Sequence, residues 1–194
     1  MLPAIKKMRC LKEIFGMSVC LAALACQSSP ATKLQPVDLG VVTLQADAEW
    51  RASTPSLSMR KAQFTLPRAA GDPEDAELVV YYFGAGQGGS VEANLERWYT
   101  QFAQPDSSAS ADKAQVTRDT IDGMNLTMVD LSGTYVAPVT PGSAESYNKP
   151  NFRMLAAVLE TSEGPYFFKL VGPEQTMAQR ASSFQQFMKS ARKK

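Results

Sequence analysis

The sequence predicts an α+β fold: a single, largely antiparallel β-sheet flanked by two main helices. Three observations carry this reading. Two segments repeat apolar residues at helical spacing, and two pairs of strand-like runs are joined by tight-turn residues. Ahead of them Glu77–Phe83 (ELVVYYF) is a near-continuous apolar and aromatic run, as expected of a central strand. Successive hairpins impose antiparallel pairing, and helices apolar on one face need a sheet to cover.

Along the chain, Gly40–Gln45 (GVVTLQ) is short and β-branched, and Lys61–Leu66 alternates, with Ala62, Phe64 and Leu66 on one face. After the central run, Gly84–Gly89 breaks the strand. Ser90 then suits a helix N-cap, with Glu92 in the first turn. Val91, Leu95, Trp98 and Phe102 fall on one helical face, and Pro105 is expected to end that helix. Ser107–Asp112 reads as a polar loop. Val116–Ile121 and Met124–Leu131 flank Asp122-Gly123, the pair favoured in two-residue hairpins. Pro138–Asn151, rich in Pro, Gly, Ser and Asn, reads as a long loop. Arg153–Glu160 and Tyr166–Val171 form a second hairpin around Ser162-Glu163-Gly164. Gly172-Pro173 opens a last helix whose stripe is Met177, Ala181, Phe184, Met188 and Ala191.

The N-terminus carries an address. Residues 1–13 are basic, Ile14–Ala25 is apolar, and small residues surround Leu24 just before Cys26. An apolar run of about 12 residues is too short for a membrane span of roughly 20. Ala23-Leu24-Ala25-Cys26 resembles the bacterial lipobox, with Ala23 where Leu is commoner. That resemblance implies cleavage before Cys26 and acylation of its thiol. Gln27 and Ser28 follow, with no Asp to signal inner-membrane retention, which implies outer-membrane sorting towards the periplasm. Residues 26–36 then read as a polar tether, and 37–194 as one folded domain.

Composition narrows the chemistry. The chain has 20 Lys and Arg, 19 Asp and Glu, and no His. Lys6, Lys7, Arg9, Lys12 and Glu13 precede the expected cut, which leaves a slightly acidic mature domain. That balance does not suit a nucleic-acid partner. The basic Lys189, Arg192, Lys193 and Lys194 complement a helix C-terminus. Without His, neither a Ser-His-Asp nor a Cys-His arrangement exists. All three Cys (Cys10, Cys20 and Cys26) lie at or before the cut, so no disulfide framework or thiol zinc site is expected. Asp72, Glu74, Asp75 and Glu77 cluster without the Gly and alternation of a calcium loop. No metal, cofactor or catalytic residue is therefore expected.

Two binding candidates remain. Gly84, Gly86 and Gly89 match G-x-G-x-x-G between a strand and a helix, where backbone amides meet phosphate. The hairpins that follow argue against a parallel dinucleotide-binding unit, so a flexible strand-to-helix turn that needs positive φ is the simpler reading. Asn94 and Arg97, with Gln101, share one helical flank that suits a carboxylate or a partner surface. Tyr81, Tyr82, Phe83, Tyr166, Phe167 and Phe168 are expected either in the core or around an aromatic pocket.

Trp50, Ser58-Met59-Arg60, Phe64, and Phe83–Ser90 followed by Asn94, Arg97 and Trp98 give an element order that resembles the PsbP-like α/β/α sandwich, across roughly residues 40–190. The resemblance implies a group of bacterial exported proteins whose fold serves as a binding or assembly partner of larger complexes. It carries no catalytic motif. The chain is accordingly expected to be a lipid-anchored, noncatalytic envelope module. The alternative is a small-ligand-binding protein or enzyme that uses the Gly-rich turn and the Asn94/Arg97 flank.

Overall fold

The computed structural model describes residues 33–55 and 57–194. The expected signal peptide (1–25) and Cys26 lie outside the described residues, as does most of the expected tether.

The chain enters as a hairpin, β1 (Leu34–Asp38) against β2 (Val42–Asp47). Leu34–Pro36 are thus strand residues, not tether. β1 is an edge strand, where Pro36 costs no ladder bond. Gln35 secures it, its Nε2 donating to the carbonyls of Asp47 (3.0 Å) and Trp50 (2.8 Å). Gly40 and Val41 form the turn and do not open the next strand. Val42, Leu44 and Ala46 of β2 are fully buried.

The main sheet contains β3 (Arg51–Ser53), β4 (Arg60–Leu66) and β5 (Ala76–Tyr82). It continues with β6 (Phe102–Ala103), β7 (Gln115–Ile121), β8 (Met124–Tyr135), β9 (Lys149–Thr161) and β10 (Gly164–Pro173). Its order is β3-β4-β5-β10-β9-β8-β6, with β7 also on β8, and every pairing is antiparallel. The fold is α+β and antiparallel, as read. The strands are nevertheless divided between two sheets: a terminal strand, β11 (Arg192–Lys193), joins β2 to complete a separate sheet of order β1-β2-β11.

Asp122 (φ 50°) and Gly123 (φ 69°) are both left-handed, the two-residue hairpin geometry their identities favour. β9 begins at Lys149, within the segment read as loop, and an isolated bridge between Pro138 and Ser146 organises the rest of that segment.

Helix α1 spans Val91–Tyr99, and the Ser90 hydroxyl accepts from Ala93 N (3.1 Å). It stops well before Pro105. Phe102 is buried, but as a strand residue facing Tyr135 across β6 and β8. Local spacing fitted Phe102 to the helix face, and pairing with the β8 edge took it instead. A single turn, α2 (Ser110–Lys113), lies in the segment read as loop. Helix α3 (Glu174–Lys189) has no capping side chain of its own, because Pro173 holds that position. Asp72 supplies the cap from a distant loop, accepting from Thr176 N (2.7 Å) and Thr176 Oγ1 (2.5 Å).

Both faces of the main sheet are packed. On one face α3 contributes Met177, Phe184, Phe187 and Met188, which meet Leu155, Ala157 and Leu159 of β9. On the other, α1 contributes Leu95 and Trp98, which meet Met154, Ala156 and Val158. The strict alternation along β9 is the period-two signature of a strand buried on both sides. Among the described residues no helix is long and apolar enough to cross a membrane.

Candidate functional site

The Gly-rich turn is built for backbone shape. Gly84, Gly86 and Gly89 all have φ between 69° and 103°. Gly88 shows the tightest approach, since a Cβ there would sit 2.6 Å from the Phe167 ring. Asn94 braces this turn from below. It is only 3% exposed, and its Nδ2 donates to the carbonyls of Gly88 (2.8 Å) and Ser90 (2.8 Å). Its Oδ1 accepts from Arg97 Nη1 (2.8 Å). Asn94 is thus an internal clamp, whereas its partner Arg97 reaches the surface.

Arg97 lines a cleft of about 600 Å³ on the α1 face of the main sheet. Gly84, Gly86, Gly89 and Asn94 do not line it. The cleft exists because α1 is short. The helix covers β8 and β9 but leaves part of β5 and β10 bare, so Val79, Tyr81, Lys169 and Val171 form a floor. The Ala137–Pro141 segment and the end of α1 supply opposing walls.

Lys169 is the unusual residue of this floor. It is a lone charge in an otherwise apolar strand, directly opposite Val79 on one side and Ala156 on the other. Its Nζ donates to Gln101 Oε1, just beyond α1, and to the Tyr135 hydroxyl (3.1 Å). It also stands 5.2 Å from the Tyr135 ring centroid. Burial pushes its ammonium down to about 8, with Glu77 opposing the shift. Burial likewise raises the phenols of Tyr135 and Tyr81, keeping them neutral donors.

The cleft's carboxylates are largely engaged. Glu74 Oε1 accepts from Lys149 Nζ (2.6 Å), and Glu77 Oε1 accepts from Gln63 Nε2 (2.6 Å). Asp75 accepts from Arg68 N (2.9 Å). With Asp72 capping α3, each member of the acidic cluster has a separate structural partner. Among the described residues no three Asp or Glu side chains are grouped so that they could hold a metal ion.

Two guanidiniums are less well served. Arg60 Nη1 donates to the amide oxygen of Gln63 (2.9 Å), and the group lies 5.9 Å from the Tyr81 ring centroid. Its Nε is buried without an acceptor. Arg97 has only the Asn94 amide. Beside them Tyr135 stacks with Tyr147 at 5.6 Å and with Phe152 at 6.3 Å. The cleft thus presents cationic and neutral donors next to aromatic rings, a combination that recognises an anion carrying a flat apolar body.

Of the Gly-rich turn and the helical flank, only Arg97 and Gln101 reach this cleft. Tyr81 faces the cleft, while Tyr166, Phe167 and Phe168 are buried. Tyr82 stacks on Tyr166 at 4.6 Å, and Phe83 is 41% exposed. Sequence reading missed Lys169, Arg60 and Tyr135. The available signal was Lys169 itself, a charge inside a run otherwise suited to burial.

No family model matches the chain, and no curated protein matches it significantly. Among solved structures, it is similar to the solution structure of cyanobacterial PsbP (CyanoP) from Synechocystis sp. PCC 6803. Identity is 11% and the TM-score 0.51, over 88% of this chain and 98% of that one. It is also similar to PA94, a Pseudomonas aeruginosa protein of unknown function, at 13% identity and a TM-score of 0.45, over 81% of this chain and 94% of that one. The likeness to CyanoP supports a PsbP-like fold.

Proposed function

We propose that the chain is a lipid-anchored protein of the cell envelope, held at the outer membrane by an acylated Cys26, and that it acts as a noncatalytic module binding a small molecule or short peptide. The cleft beside α1 carries the binding part of this reading. It has the size of a small-molecule site, and its polar groups converge on an apolar floor. Among the described residues the large apolar side chains left exposed are Leu34, Leu57, Met59, Phe83 and Val139. They belong to separate segments, so a cleft ligand is favoured over docking on one broad apolar face. The anchoring part rests on Ala23-Leu24-Ala25-Cys26.

Each part has its own test. In Gram-negative cells, Cys26→Ser is expected to leave the membrane fraction and lose acyl labelling. A variant that stays membrane-bound and labelled would show the anchoring to be wrong. For the cleft, small molecules that copurify with the full chain are compared by mass spectrometry with those on Thr100→Trp, which fills the mouth. Enrichment on the unsubstituted chain is expected, and identical profiles would remove the cleft as the binding site.

A further inference from the structure

We infer that the cleft is a carboxylate site: it takes an organic monoanion whose carboxylate meets Arg97, Arg60 and Lys169 and whose apolar or aromatic body lies against Tyr135 and Tyr147. This deepens the cleft-binding reading and rests on it. The first observation is an imbalance of partners. Partly buried cations elsewhere have carboxylate partners, as in Arg153 with Asp130 (2.5 Å) and Arg180 with Glu49 (2.9 Å). Inside the cleft, Lys149 is likewise paired with Glu74. Yet among the described residues Arg60, Arg97 and Lys169 have no salt bridge, and their hydrogen bonds go to neutral oxygens of Gln63, Asn94, Gln101 and Tyr135.

The second observation is the buried Nε of Arg60, a charged group's donor with no acceptor. Such a donor costs free energy unless something arrives to accept from it. A guanidinium is shaped for a planar carboxylate. The third is the charge of the site. Four cations (Arg60, Arg97, Lys149 and Lys169) face three carboxylates (Glu74, Asp75 and Glu77), so one negative charge brings the lining to neutrality. That count favours a monoanion over a phosphate dianion. The aromatic wall sets the other half of the ligand, since stacked rings accept flat apolar groups.

The test titrates the detergent-solubilised full chain with three probes of one shape (3-phenylpropanoate, 3-phenylpropanamide and 3-phenylpropylamine) and with phenyl phosphate. The carboxylate is expected to bind at least about tenfold more tightly than the amide, and the amine more weakly still. Arg97→Gln and Arg60→Gln are each expected to weaken the carboxylate about tenfold while changing the amide less than about twofold. Thr100→Trp should abolish all three. Equal affinities for carboxylate and amide, both lost in Thr100→Trp, would overturn the carboxylate assignment and leave the cleft reading standing. Preference for phenyl phosphate over the carboxylate would likewise overturn it. Saturation by none of the probes overturns the carboxylate inference alone, because the copurification comparison tests the cleft independently. Unchanged unfolding midpoints in the two Arg variants keep a folding defect from imitating the result.

Discussion

The two faces of the main sheet are covered by helices of different length, and the difference separates stability from recognition. The 16-residue α3 lies over one face and seals it with Phe184, Phe187, Met177 and Met188, all essentially without solvent contact. The nine-residue α1 covers only part of the other face with Leu95 and Trp98. Beyond its end the strands present Lys169, Tyr81 and Glu77 to an open cleft. A strand buried on both sides is ordinarily apolar throughout. β10 keeps that rule towards α3, where Phe168 and Leu170 are fully buried, and departs from it at Lys169 towards α1. A helix one or two turns longer would have covered that floor, and a buried lysine there would have had nothing to bind.

The comparison is tested most severely by truncating one large side chain on each face. Phe187→Ala is expected to cost about 4–5 kcal/mol, because the sealed face cannot collapse around the cavity. Trp98→Ala, beside the open cleft, is expected to cost about 3 kcal/mol despite the larger side chain. Denaturant titration reads both, and a costlier Trp98 truncation would show the α1 face to be equally sealed. Next comes the turn that launches α1. Gly88→Ala is expected to destabilise by about 2–3 kcal/mol, through its positive φ and its collision with Phe167. A cost below about 0.5 kcal/mol would mean the turn simply shifts aside.

Lys169 sharpens the contrast through pH. Its folded-state value, about 8, lies below the 10.5 of an unhindered lysine. Below pH 8 both states are protonated, and the full cost of burying the ammonium is felt. As pH rises from 8 the folded protein sheds this proton before the unfolded chain does, so stability improves. Between pH 8 and 10 the unsubstituted protein is expected to gain about 2 kcal/mol relative to Lys169→Met. Parallel stability profiles would mean that Lys169 is well solvated. The smallest effect expected is at Gln101, whose amide oxygen accepts from Lys169. Gln101→Ala should cost about 1 kcal/mol, more than an ordinary surface truncation, and the cost should vanish in the Lys169→Met background.

Much of this molecule is encoded by neighbours in the chain. Asp122-Gly123 and Ser162–Gly164 specify their hairpins through the backbone angles those residues tolerate. Ser90 marks the start of α1, and the spacing of Met177, Phe184 and Met188 marks the face of α3. Those local rules suffice for the α+β class, the antiparallel pairing and the two main helices. They fail wherever a partner is distant. Leu34–Pro36 look like tether until β2 lies beside them, and Phe102 fits the helix until the edge of β8 claims it. The cleft is the extreme case: Arg60, Arg97, Tyr135 and Lys169 come from a helix and three separate strands of the main sheet. No short-range pattern joins them. What brings them together is where α1 stops, and that is decided by Phe102 pairing with Tyr135, a contact between segments that only the folded sheet places side by side.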